Sequence, residues 1–311
     1  MRYAAEGQVV IDPRQRVART RRIVVKVGTN VVMREDGRLA LSQLYGIAES
    51  LARLQQAGRD LLVVSSGAVG LGMERIGLAM RPTELSEIQA CAAIGQSRLM
   101  AIYDDAFDKL GCRTAQVLLT EDDFRDPVRY NNLRCTLTSL LALDVIPVIN
   151  ENDTVSTAEL DHPADSSDRQ RVFGDNDKLS ALVMTHIDAD LLLLLSDVDG
   201  LYMAAPGSNE AHLVPEVSSV TEQILNLARG KNSRGRGGMA SKLEAVRLAM
   251  AWRSLRMGGC HESSNVYVKA KSWERSFCLG EMSESAAGAY RCGGSEERSA
   301  CAGRSSNRTA Q

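Results

Sequence analysis

Five short apolar runs, separated by segments with helical periodicity, constrain the fold of this chain more than any other feature. They predict strands at residues 22–27, 60–65, 114–119, 145–149 and 190–195. Each run is apolar at nearly every position rather than at alternate positions, which is typical of strands covered on both faces. The alternation of strands and helices predicts an α/β fold, a three-layer αβα sandwich with a mainly parallel central sheet.

Helical patterns fill the connections, near residues 41–54, 84–110, 129–143 and 178–186. In an open parallel sheet, ligands bind outside the carboxyl ends of the strands. Functional side chains are therefore expected in the loops that follow Val27, Ser65, Ile149 and Leu195.

The composition excludes several classes of protein. With 311 residues, 44% of them hydrophobic, the chain is long enough for one large α/β domain or two small ones. The net charge of -2 gives no electrostatic reason to expect a nucleic-acid partner. We expect no membrane partner and no secretory signal, because no long apolar stretch occurs. The seven cysteines form no Cys-x-x-Cys pair, which indicates a reducing, cytoplasmic location.

Two loops near the first strands could approach a phosphate. Lys26 ends the first strand and precedes Gly28, where the backbone can come close to a ligand. The run SSGAVGLG, residues 65–72, offers consecutive backbone N–H groups to an anion, although it fits neither the dinucleotide-binding nor the Walker A pattern. Each feature taken alone is also explained by structure, as a lysine reaching solvent or as a tight turn.

Three polar clusters follow later elements. The segments 150–153 (NEND) and 174–178 (GDNDK) could bind an ammonium and a carboxylate, or could be a solvated turn and a helix cap. The segment 196–200 (SDVDG) could border a nucleotide, or could be a turn. No Ser-His-Asp set is visible and the four histidines have no metal-ligand spacing, so no metal-binding residues are predicted.

The segment 234–242 (RGRGGMASK) places two glycines before a helix and Lys242 in its first turn. Free N–H groups at a helix start, together with a nearby lysine, form a suitable site for a phosphate. The alternative is a flexible loop that precedes a helix.

Taken together and in order over residues 22–251, these segments resemble the amino acid kinase family, and within it the glutamate 5-kinases. The runs that carry the resemblance are VVKVGTN, VVSSGAVGLG, AAIGQSRLM, QVLLTEDDF, VIPVINENDTVSTAE, GDNDKLSA, LLLLLSDVDGLY and GGMASKLEA. The resemblance implies ATP-dependent phosphorylation of the glutamate side-chain carboxylate in proline biosynthesis. It also implies ATP as cofactor with Mg²⁺ carried mainly by ATP, a homo-oligomer, and proline as a feedback inhibitor.

The resemblance also implies roles for individual residues. Lys26, Lys242 and Asp177 would be catalytic, with the two lysines on the ATP phosphates and Asp177 orienting both. Ser66, Asp153 and Asn176 would bind glutamate. The residues that would bind ATP are Lys26, Ser196, Asp197, Arg236, Gly237, Gly238, Met239, Ala240, Ser241 and Lys242. Arg236 stands where the family has threonine.

The chain is divided into an N-terminal extension (residues 1–21), a kinase domain (22–251) and an atypical tail (252–311). The tail is rich in Ser, Gly, Arg and Glu, and no RNA-modification-type (PUA) domain is recognisable in it. We expect the final strand of the sheet to be missing, and hypothesise that the tail is a frame-shifted reading or a false gene end. Two alternatives stay open: a catalytically impaired amino-acid-binding relative, and another carboxylate or carbamate kinase of the family.

Overall fold

The computed structural model describes residues 20–34, 36–156, 176–198, 200–204, 211–214, 217, 219–228, 238–256 and 265–269. All of them belong to the first of the two units into which the chain divides, residues 1–280. Most of the predicted N-terminal extension and most of the tail lie outside the described residues.

A parallel sheet forms the centre of this unit. Its strands are β1 (Arg22–Val27), β2 (Asp60–Ser65), β3 (Arg113–Leu119), β4 (Val145–Glu151), β5 (Leu191–Leu195) and β6 (Asn265–Lys269). The order across the sheet is β3-β4-β2-β1-β5-β6, and every neighbouring pair is parallel. The five predicted strands are confirmed, with bounds that shift by at most two residues.

Helices cover both faces of the sheet. Within the described ranges they are α1 (Thr29–Val32), α2 (Leu41–Gln56), α3 (Ala68–Ile76), α4 (Leu85–Asp108), α5 (Asp122–Arg125), α6 (Pro127–Ala142), α7 (Asn176–His186), α8 (Glu222–Ala228) and α9 (Met239–Arg256). None of them is long and apolar enough to cross a membrane.

Neighbouring residues of β1 face opposite cores, because successive side chains of a strand point to opposite sides. Val25 packs in one buried cluster with side chains of α2 and α4, whereas Val24 packs in the other with side chains of α6, α7 and α9. The predicted three-layer αβα sandwich is thereby confirmed.

Strand β6 corrects the prediction that the sheet lacks a final strand. It pairs in parallel with β5, with Val266 opposite Leu192 and Val268 opposite Leu194. Valine and tyrosine favour strands, but NVYVK is only five residues long and follows a polar, glycine-containing stretch. The sequence pattern was therefore too weak to reveal it. The remaining tail prediction falls outside the described residues, and the frame shift stays a hypothesis.

Helices α3 and α4 meet through glycines. A Cβ atom on Gly72 would lie 1.9 Å from the carbonyl oxygen of Cys91, and one on Gly95 would lie 1.7 Å from the carbonyl oxygen of Ala68. Only residues without a side chain allow the two backbones to approach this closely. Gly72, which the sequence analysis included in an anion-binding loop, therefore has a packing role.

Replacing Gly72 with alanine should destabilise the protein by about 3 kcal/mol, because backbone would have to move to accommodate the methyl group. The matched control is Gly70→Ala in the same helix, where the new Cβ would meet only the side chain of Met33, at 3.5 Å. Thermal unfolding followed by circular dichroism should give a clearly lower melting temperature for Gly72→Ala. Equal melting temperatures in the two variants would show that the close helix contact is absent.

Candidate active site

A cavity of about 190 Å³ opens at the carboxyl ends of the strands. Residues that end or follow β1, β2, β4 and β5 line it, together with Asn176 from α7 and Lys242 from α9. This is the edge of the sheet where the sequence analysis expects the functional loops to meet.

One buried carboxylate holds two lysines at this cavity. The Nζ atom of Lys26 lies 2.6 Å from Oδ1 of Asp177, and the Nζ atom of Lys242 lies 3.3 Å from Oδ2. The hydroxyl of Ser241 donates to the same Oδ2 at 2.9 Å. Asp177 is fully buried and the lysines are only 4% and 6% exposed, so the three charged groups have fixed positions. Two ammonium groups that share one carboxylate form a suitable binding site for an anionic ligand.

The elements explain why these groups converge. Lys26 lies near the end of β1, at the centre of the sheet. Asp177 lies in the first turn of α7, where the helix dipole favours a negative charge. Lys242 lies in the first turn of α9, which packs on α7.

Ser196 and Asp197 follow β5 and line the cavity beside Lys242. The side-chain amide of Asn30 donates to Oδ2 of Asp197 at 2.9 Å, and the Ser196 hydroxyl donates to Oδ1 at 3.2 Å. Burial raises the pKa of Asp197, but hydrogen bonds from Asn30, its own backbone amide and Ser196, with the charge of Lys242, together hold that pKa below its ordinary value. Asp197 is therefore ionised at neutral pH.

Asn176 lies where the end of β2, the end of β4 and the cavity meet. Its Nδ2 atom is 2.8 Å from the Ser66 hydroxyl oxygen, 3.0 Å from Oδ1 of Asn150 and 3.1 Å from the carbonyl oxygen of Ser65. Its Oδ1 atom is buried and accepts no hydrogen bond from the described residues.

The loop from Ser66 to Gly70 gives the cavity a wall of backbone. Gly67 has a φ of 106°, which glycine adopts without strain, and α3 begins directly after it. The first N–H groups of a helix have no partner within the helix, so they are available to an anion. This part of the predicted glycine loop borders the cavity as expected.

The structure does not bring every predicted residue to the cavity. Gly238 precedes α9, and neither it nor Met239, Ala240 and Ser241 in the first turn line the cavity. Met239 packs against the cluster of Leu201, Leu225 and Leu243. Arg236 and Gly237 lie outside the described residues. Asp153, predicted to bind substrate, lines the cavity.

The cavity lining includes polar residues to which the sequence analysis assigns no role, among them Arg81, Gln89 and Ser156. Arg81 stands in a loop without periodicity, and Gln89 is one polar residue among several in the pattern of α4. Glu151, which is 8% exposed, belongs to the NEND segment but is not among the residues for which the resemblance implies a role. It accepts a 2.7 Å hydrogen bond from Ser156. The one available signal was the position of Glu151 at the carboxyl end of β4.

Residues 21–254 match the family model described as the amino acid kinase family, and the chain belongs to this family. It is 49% identical over 229 residues to a glutamate 5-kinase of Gloeobacter violaceus, covering 73% of this chain and 59% of that protein. It is 42% identical over 240 residues to a glutamate 5-kinase of Enterococcus faecalis, covering 76% of this chain and 86% of that protein.

A solved structure shares the fold. It is the carbamate kinase from Giardia lamblia bound to AMP-PNP, with a TM-score of 0.55 and 13% sequence identity. The match covers 85% of this chain and 97% of that chain. At this identity the similarity supports the fold alone.

Proposed function

We propose that the chain is an ATP-dependent glutamate 5-kinase, which transfers the γ-phosphoryl group of ATP to the side-chain carboxylate of glutamate. The observation that carries the proposal is the pair of buried lysines held by Asp177 at a cavity that also exposes polar groups suited to an amino acid. The glutamate 5-kinases that the chain resembles supply the identity of the acceptor.

The proposed chemistry needs no general base. A glutamate side chain has a reference pKa of about 4.3, so it is an anion at neutral pH. One of its carboxylate oxygens forms a bond to the γ-phosphorus while the bond from that phosphorus to the β,γ-bridging oxygen breaks. The products are glutamyl 5-phosphate and ADP. Catalysis then depends on positioning two anions and stabilising charge on the transferred group.

Lys26 and Lys242 supply that stabilisation in the proposal, and Asp177 fixes both ammonium groups before the substrates bind. Fixed cations act without reorganising during the reaction, which is where their electrostatic effect is largest. Ser196, Asp197 and the start of α9, with Arg236 and Gly237 ahead of it, would border ATP. Mg²⁺ would arrive on the ATP phosphates, because this ion keeps several waters and binds substrate phosphates with few protein ligands.

The proposed glutamate subsite consists of Ser66, Asp153 and Asn176. Asp153 lines the cavity with a carboxylate, which suits the α-ammonium group of an amino acid, and Asn176 lines it with a side-chain amide. The Ser66 hydroxyl and the N–H groups at the start of α3 suit a carboxylate. An acylated amine would lack the charge that Asp153 can pair with, so the site should prefer free glutamate over N-acetylglutamate.

The resemblance supports three further parts of the proposal: a cytoplasmic location, a homo-oligomeric assembly, and feedback inhibition by proline. A proline effector would share the α-ammonium and α-carboxylate chemistry of glutamate.

The test is an acceptor panel. ADP release with MgATP should be fast with glutamate and close to background with N-acetylglutamate, aspartate and carbamate. A preference for carbamate or another acceptor would assign a different activity within the family. If glutamate raises the melting temperature but no acceptor supports turnover, the chain is a binding protein and the proposal fails.

A further inference from the structure

Gln96 of α4 does not line the cavity, yet it ends a relay of hydrogen-bonded side-chain amides that begins at the cavity. The relay consists of Asn176, Asn150 and Gln96. Its Oε1 atom accepts a hydrogen bond from Nδ2 of Asn150 at 2.8 Å, and Oδ1 of Asn150 accepts from Nδ2 of Asn176 at 3.0 Å. We propose that Gln96 is a positioning residue, which acts through Asn150 to hold the side chain of Asn176 in place at the cavity. This inference rests on the proposed function.

The direction of the hydrogen bonds along this relay is fixed at its cavity end. Nδ2 of Asn176 lies 3.1 Å from the carbonyl oxygen of Ser65, and a backbone carbonyl can only accept. The nitrogen of Asn176 must therefore face Ser65, and Asn150 must present its oxygen to that nitrogen. Asn150 then has only its nitrogen to offer on the other side, so the next residue must be an acceptor.

Gln96 supplies that acceptor at a place where water can hardly replace it. Asn150 is 2% exposed, so water has almost no access to its side chain. Without Gln96, a buried N–H of Asn150 would lose its partner, and the amide would be free to rotate by 180°. A rotated Asn150 would present N–H groups to the N–H groups of Asn176, which is repulsive.

The consequence reaches the cavity through Asn176, which lines it. Three acceptors surround Nδ2 of Asn176, and the one from Asn150 is held in turn by Gln96. A second hydrogen bond ties α4 to the same place. The Tyr103 hydroxyl and the Ser65 hydroxyl are 2.9 Å apart, and both side chains are buried. Gln96 and Tyr103 are two helical turns apart, so one face of α4 supports both Asn150 and Ser65.

The backbone of α4 is itself fixed beside Gln96. The preceding residue, Gly95, lies so close to Ala68 that a Cβ atom would overlap its carbonyl oxygen. Ala68 begins α3 and lines the cavity. The relay is therefore anchored on a helix that cannot shift without moving the cavity wall.

The test compares two variants of similar size. Gln96→Met keeps the volume and removes the acceptor, whereas Gln96→Glu keeps an acceptor oxygen. We expect Gln96→Met to raise KM for glutamate about tenfold, on the order of one lost oriented hydrogen bond, with kcat and KM for ATP nearly unchanged. Gln96→Glu should keep KM for glutamate within about threefold of the wild-type value.

A double-mutant cycle separates positioning from a merely structural role. Asn176→Ala should raise KM for glutamate by itself, and adding Gln96→Met to it should raise KM little further, because the side chain that Gln96 orients is gone. If Gln96→Met raises KM as much with Asn176→Ala as without it, or leaves KM unchanged in the wild type, the relay is refuted.

The two proposals fail differently. If the wild type does not phosphorylate glutamate, the proposed function fails, and the relay is then measured by the rise in melting temperature that glutamate causes. A smaller rise in Gln96→Met than in the wild type and Gln96→Glu supports the relay. An equal rise in all three, or no rise in any, refutes it.

Discussion

Asp177→Asn should lower kcat about a thousandfold while KM for ATP stays constant or falls. The change removes the one carboxylate that contacts both Lys26 and Lys242 and places an amide of the same size in a fully buried position. Loss of one partner from a buried ion pair destabilises proteins by about 3–5 kcal/mol, so the melting temperature should fall as well. The ATP phosphates would then be the main counter-charge for the lysines, which maintains or strengthens nucleotide binding.

The matched control is Asp190→Asn, the same substitution just before β5, at the opposite end of the sheet. Asp190 accepts hydrogen bonds from the backbone N–H groups of Arg21 and Arg22, both at 2.9 Å. Its loss can lower stability but should leave kcat close to the wild-type value. Steady-state kinetics and thermal unfolding on both variants distinguish the two effects. An Asp177→Asn variant with a wild-type kcat would remove Asp177 from the mechanism.

Lys242→Ala should lower kcat by about a hundredfold to a thousandfold and change KM for glutamate only slightly. In the proposed function the ammonium group is one of two fixed cations beside the transferred phosphoryl group, and the loss of a single preorganised electrostatic contact has effects of this size. Asp177 would keep its 2.6 Å contact with Lys26, so the protein should stay folded. A lower kcat with a nearly unchanged KM indicates that the lost interaction forms in the transition state.

Lys178→Ala provides the comparison for this variant. Lys178 is the next residue after Asp177, but it is half-buried away from the cavity, near Glu121 and Glu244. Its removal should therefore leave kcat within about threefold of the wild-type value, since its ammonium group does not line the cavity. Equal losses of kcat in Lys178→Ala and Lys242→Ala would mean that the effect is one of general charge rather than of position.

Most of the sheet could be predicted because its strands are buried on both faces. Runs such as LLLLL at β5 leave no other interpretation once helices flank them on both sides. Strand β6 could not be predicted, because its five residues give only a weak pattern and the pairing with β5 that stabilises it is not visible in the sequence. Tertiary pairing outweighs local pattern in short edge strands.

The convergence of Lys26 and Asp177 was expected from the family resemblance. Topology alone places Lys26 near the edge of the sheet where the loops meet, but Asp177 lies in the first turn of α7 and not at the end of a strand. Lys242 could be placed there only through the resemblance, since a lysine in the first turn of a helix has no intrinsic reason to meet Asp177. The distances that define the shared carboxylate are visible only in three dimensions.

Gln96 and Gly72 have structural roles that the sequence pattern does not reveal. In the pattern of α4, Gln96 is one polar residue on a partly exposed helix, and nothing marks it as the acceptor for a buried asparagine. Gly72 belongs to a glycine-rich run that suggests anion binding, yet the approach of Cys91 explains it. Both roles depend on a neighbour from another element, which is the information that periodicity and spacing do not contain.

The most direct test of the central claim is the glutamyl hydroxamate formed when wild-type protein reacts with glutamate, MgATP and hydroxylamine. Hydroxylamine traps an activated carboxylate, so its product reports phosphoryl transfer to glutamate rather than hydrolysis of ATP. We expect hydroxamate in step with ADP release in the wild type and almost none in Lys242→Ala. ADP release without hydroxamate, or equal hydroxamate in the two proteins, would contradict the account.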